Sequence, residues 1–145
     1  MSFTEKQQWV LLVTILGSYA FYLQMVFGAA EPGVPITEVS YLWPLIWAVV
    51  ATIVIVIAIV GSILIGIASG LNKEEDFESD ERDTDFDRRG EVVGYMVFSI
   101  AMLNVLGLAI AEADHFWIGN SIYLSATVAS VVSTGVKLFF YRRGY

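Results

Sequence analysis

From Trp9 to Gly28 the chain carries no charged side chain. As a helix this stretch measures about 30 Å, the thickness of a bilayer's hydrocarbon core. Three more long apolar runs follow. Together the four flank one charged stretch, Asn72–Glu91 (NKEEDFESDERDTDFDRRGE), two on each side. The chain is 57% hydrophobic and only 16% charged, against about 25% in a typical soluble domain. Since most of those charges sit in one loop, the apolar runs would be a surface that water cannot solvate. Their solvent must be lipid.

The pattern predicts an all-α integral membrane protein, a four-helix bundle with helices over about 4–27, 41–70, 80–113 and 116–141. Thr4 with Gln7 has the form of a capping box at the first start. Pro32, Gly33 and Pro35 break the chain between the first two helices. Val49–Val60 is almost wholly Val, Ile and Ala, but the run is too long for a buried strand. Residues 72–79 are predicted to be an acidic linker. Asp80 or Ser79 would cap a helical extension that continues into the third span, and Asp85 would pair with Arg89 at i,i+4. The first run is too long for a cleavable signal peptide and is expected to remain as an anchor.

Orientation follows from the basic residues. Lys6, Lys73, Arg82, Arg88, Arg89, Lys137, Arg142 and Arg143 all fall on one side of a four-span layout. The positive-inside rule makes that side cytoplasmic, with both termini and the charged loop. Trp43, Trp47 and Trp117 then belong to the outer aromatic belt. Trp9, Phe139, Phe140 and Tyr141 belong to the inner one.

The net charge of −7 is local to the loop, and no basic stripe offers a nucleic-acid surface. The absence of cysteine removes disulfides and thiolate chemistry. One histidine cannot supply a bis-histidine haem, and no phosphate loop or nucleophile elbow is present. Neither an enzymatic activity nor a cofactor is expected. Small four-helix multidrug exporters have this size and topology, but they centre on a carboxylate inside the first helix. Here no acid lies between Glu5 and Glu31.

Five sets of residues stand out. Ala58, Ser62, Gly66 and Gly70 form a small-residue ladder for close helix packing, and Ser125, Ala129 and Ser133 give the fourth helix a small, polar face. In the charged loop, Asp80, Asp83, Asp85, Asp87 and Glu91 are candidates for a cation or a basic partner, set against a plain solvated loop. An EF-hand counted from Asp83 fails, because positions 6 and 12 are Arg88 and Gly94. Arg88, Arg89, Arg142 and Arg143 are placed at lipid headgroups, and Lys137 is expected to snorkel to the same interface. Glu112, Asp114 and His115 have ligand types for a weak divalent metal site, set against an ordinary capped turn. Asn104 and Gln24 would line a polar path or bond across helices.

The stretches SDERDTDFDRRGEVVGY (79–95), AEADHFWIGN (111–120) and VKLFFYRRG (136–144) resemble a group of small uncharacterised bacterial inner-membrane proteins with four helices. In that group a DERD-type box precedes the third helix and a YRRG-like tail ends the fourth. The resemblance covers the second half of the chain. It implies a bacterial inner membrane and carries over no catalytic residue.

The expected function is a non-enzymatic membrane protein that self-assembles, or joins a larger membrane complex as a structural or accessory subunit. Its partners would be the lipid bilayer and other membrane helices. A small oligomeric ion channel or transporter is one alternative. A membrane sensor or immunity-type protein, binding a cytosolic partner through the acidic loop, is another.

Overall fold

The computed structural model describes residues 3–68 and 81–143, with side chains for 5–57, 60–61 and 84–143. The 72–79 linker, Gly70 and Asp80 lie outside the described residues, as do the side chains of Ala58, Ser62, Gly66 and Asp83.

Every regular element among the described residues is helical. Helix α1 spans Phe3–Gly28, α2 Leu42–Ala68, α3 Glu81–Ile110 and α4 His115–Arg143, with a 3-10 turn at Ile36–Glu38 between α1 and α2. Three stretches, Glu5–Gly28, Thr84–Ile110 and His115–Arg143, are long and apolar enough to cross a membrane. In α2 the described apolar stretch, Leu42–Ile57, is shorter.

Local chemistry sets the ends. After Gly28 the chain turns at Gly33, whose φ of +89° suits a residue without Cβ. Pro44 sits in the first turn of α2, where a missing N–H leaves no helical bond unmade. Helix α3 runs unbroken from the charged stretch into the apolar one, and ends three residues earlier than the sequence predicts. The reason is a Schellman closure. The Ala113 N–H donates to Leu108 O at 3.0 Å and the Glu112 N–H to Ala109 O at 3.2 Å. This puts Glu112 at φ +51°, a place usually taken by glycine. Asp114 then caps α4, its Oδ1 accepting the Phe116 N–H at 2.8 Å.

The helices pack in the order α2, α1, α4, α3. The α3–α4 contact is the most extensive; α1 lies between α2 and α4. No comparable contact joins α2 to α3 among the described residues, so the bundle is an open row. Its outside is apolar. Trp43, Ile57, Tyr95, Ile100 and Ile110 are all more than 60% exposed, a surface that suits acyl chains. A small aromatic and aliphatic core of Tyr22, Val26, Val39, Ala48 and Phe116 joins α1, α2, α4 and the connecting turn.

Candidate functional site: a groove between α2 and α3

Between the described parts of α2 and α3, α1 and α4 form the floor of a groove of about 450 Å³. Leu11, Ile15, Val56, Phe98 and Ala126 give it mostly apolar walls; Ser130, Ser133 and Thr134 add hydroxyls from α4. Lys137 and Glu91 line one end and Thr52 the other.

The charged end is built on two glycines. A Cβ at Gly90 would collide with the Lys137 side chain and with Ser133 O at 2.8 Å. One turn on, a Cβ at Gly94 would lie 2.8 Å from Ser133 Cβ and 3.3 Å from Ala129 O. Their bare backbone lets α4 approach closely. Lys137 therefore lies along α3 instead of reaching outward. Its side chain is 12% exposed, with Nζ 3.4 Å from Asp87 Oδ1 and 3.6 Å from Glu91 Oε1. Two acids and one base give this cluster a formal net charge of −1. Asp87 Oδ1 is buried and has no hydrogen-bond partner. The Lys137 ammonium thus pairs across the helix contact.

Around this cluster the basic residues lie on aromatic faces. Arg89 donates from Nε to Asp85 Oδ2 at 2.7 Å and covers Phe140, 5.4 Å from the ring centre. Phe86 stacks on Phe140 at 5.4 Å. Arg142 reaches Glu5 Oε1 at 3.8 Å and covers Trp9, while Arg143 covers Phe139. Arg88 is exposed. The extension of α3 is thereby docked on the end of α4.

Beyond Thr52 a set of hydroxyls crosses the row. Ser18 Oγ lies 2.7 Å from Thr52 Oγ1 and 3.2 Å from Tyr123 OH. The Thr52 hydroxyl donates to Ala48 O at 2.8 Å. Ser18 Oγ also donates toward Ala48 O at 3.2 Å, so Ala48 O accepts from both hydroxyls. Farther on, fully buried Tyr22 donates to Asn120 Oδ1 at 2.6 Å, and Tyr41 to His115 O at 3.0 Å. These bonds tie α1 to α2 and α4, and the entry to α2 to the start of α4, without any charged group.

The other residues singled out in the sequence are dispersed. Ser125 is buried and donates to Ser121 O in its own helix. Asn104 and Gln24 are exposed, so neither lines an interior path. The metal set at Glu112, Asp114 and His115 is not assembled. Among the described residues no three His, Asp or Glu side chains come together as ligands, because Glu112 closes α3 and Asp114 caps α4.

The Lys137–Asp87–Glu91 cluster and the Ser18–Thr52–Tyr123 bonds were not legible as contacts in the sequence. The available signal was Gly90 with Gly94, one turn apart beside two acids, facing a helix with small residues and one lysine. Comparison of the chain with protein-family models, with characterised proteins and with solved structures gives no match.

Proposed function

We propose that this chain is a non-enzymatic accessory subunit of the bacterial inner membrane, which crosses the bilayer four times and assembles with a second copy of itself. The bacterial setting rests on the sequence resemblance of residues 79–95, 111–120 and 136–144. The fourth span rests on α2, whose 27 residues make a helix of about 40 Å. The described basic residues support the orientation. Lys6, Arg88, Arg89, Lys137, Arg142 and Arg143 gather at one end, and residues 29–41 and 111–115 at the other contain none. By the positive-inside rule the basic end, with both termini, is cytoplasmic.

The observation that carries the assembly reading is the position of α2. Among the described residues its extensive helical contact is with α1, and its opposite face presents Ile46, Val50, Ile53 and Ile57 outward. Two copies related by a two-fold axis would pair these faces, the commonest symmetry of homo-oligomers. The chain has no cysteine, so single replacements report cleanly. Ile53→Cys in native membranes should cross-link to a dimer under mild oxidation, while Ile100→Cys on the outer face of α3 should not. Equal cross-linking at both sites, or none at Ile53→Cys, removes this reading.

One observation favours a second reading, a small channel or transporter: the hydroxyls of Ser18, Thr52, Tyr123 and Tyr22 lead on from the charged groove. Proteoliposomes with measurable proton or cation flux, lowered by Ser18→Ala, would replace the first reading with this one. Binding of a cytosolic partner by the acidic stretch has less support, since Asp85 and Asp87 already pair with Arg89 and Lys137.

A further inference from the structure

We infer that the groove between α2 and α3 holds one phospholipid of the cytoplasmic leaflet, and that Glu91 and Lys137 select a zwitterionic headgroup bearing a primary amine. The inference rests on the membrane reading above and is independent of self-assembly.

Length points to one leaflet. The Tyr41–His115 hydrogen bond sets the starts of α2 and α4 level. Thr52 lies ten residues into α2 from Leu42, about 15 Å down, and Lys137 lies 22 residues into α4 from His115, about 33 Å down. The groove between them is about 18 Å long, close to half of a hydrocarbon core of about 30 Å. It therefore runs from the midplane to the charged interface, the course of a lipid tail below its headgroup.

Width suits an acyl chain. Spread over about 18 Å, the 450 Å³ correspond to a mean cross-section of roughly 25 Å², against roughly 80 Å² for a helix about 10 Å across. A thin, flexible acyl chain can follow a long and narrow space. The side toward the bilayer is open, since no extensive contact joins α2 to α3 among the described residues.

Charge selects the headgroup. Glu91 and Lys137 line the same end of the groove and lie 3.6 Å apart. The Glu91 side chain is 57% exposed and can accept from an ammonium group. The Lys137 contacts of 3.4 and 3.6 Å are longer than close hydrogen bonds, so its three donors keep capacity for a phosphate oxygen. Asp87 Oδ1, buried without a hydrogen-bond partner, adds negative charge behind them. An anionic headgroup without the amine would add a negative charge to a cluster whose formal net charge is already −1. A quaternary ammonium would offer them no N–H.

The test uses the purified full chain in mild detergent with equimolar phosphatidylethanolamine, phosphatidylglycerol and phosphatidylcholine of matched chains, read by native mass spectrometry. The expected result is retention of one phosphatidylethanolamine, at least fivefold over either competitor. Glu91→Gln should remove that preference while the folded protein keeps its helical spectrum. Ser130→Phe, which fills the groove wall, should lower retention of all three lipids. Preference for phosphatidylglycerol, equal retention of the three, or an unchanged preference in Glu91→Gln would each overturn the inference. Dimerisation or its failure in the cross-linking experiment leaves these expectations as they stand.

Discussion

The two antiparallel pairs of this chain are held by different forces. In α3–α4, Gly90 and Gly94 bring backbone against Ala129, Ser133 and the Lys137 stem, and charges close the end. In α1–α2, the helices meet at Ala48 and are joined by the Ser18 and Thr52 hydroxyls. Within lipid no hydrophobic gain distinguishes packed from unpacked apolar faces, so association depends on close packing and interhelical hydrogen bonds. The first pair relies on shape, the second on a few polar atoms. A pair that depends on shape should be sensitive to added volume. A pair that depends on hydrogen bonds should respond to single-atom deletions, and more weakly.

The largest effect should come from Gly94→Leu. The added side chain enters a space where even a Cβ would be 2.8 Å from Ser133 Cβ, so α3 and α4 must separate. Overpacking of this kind costs about 1–3 kcal/mol, readable as a lowered midpoint in a denaturing-detergent titration. Ser133→Gly should restore part of the loss in a Gly94→Ala background and none of it in a variant of the α1–α2 contact.

Next in size is a gain. Glu112→Gly relieves a left-handed backbone at the α3 end and should stabilise by about 1 kcal/mol, seen in the same titration. No gain there would mean that Glu112 contributes through its side chain.

Tyr22→Phe deletes the hydroxyl that donates to Asn120 Oδ1. Measured interhelical bonds in membranes average about 0.6 kcal/mol and reach about 1.7, so the loss should fall in that range. A cost above that of Gly94→Leu would reverse the ranking of the two kinds of contact. Asp85→Ala should have the smallest effect, about 0.3–0.5 kcal/mol, because the exposed Asp85–Arg89 pair is screened by water and salt.

The sequence made some of this arrangement legible and hid the rest for a physical reason. Glycine, proline and capping signals act through the backbone next to them, so the breaks near Gly33, the cap at Asp114 and the Asp85–Arg89 pair could be read locally. The end of α3 was misplaced because an αL closure normally announces itself with glycine, and here the residue is Glu112. Helix neighbours were illegible. In water an apolar stripe marks the inward face, but in lipid the outward face is apolar too, as Ile53 and Ile100 show. That is why Asn104 looked like an interior group and stands exposed, and why the pairing of Lys137 with Asp87 and Glu91, for which Gly90 makes room, could not be read. Of the polar side chains that do face inward, Ser18 and Tyr22 lie one turn apart on α1 and read as a face toward other helices, but nothing in the spacing links them to Thr52 on α2 or Asn120 on α4.

The open row is the central claim, and paired cysteines in this cysteine-free chain test it most directly. Ser18→Cys with Thr52→Cys replaces two oxygens 2.7 Å apart, which places the two sulfurs within reach of a disulfide. Val56→Cys with Phe98→Cys spans the groove from α2 to α3. In oxidised native membranes the first pair should form an intramolecular bridge and the second should stay reduced. A bridge between Val56→Cys and Phe98→Cys, with none between Ser18→Cys and Thr52→Cys, would mean that α2 packs on α3 in a closed bundle and would contradict the account.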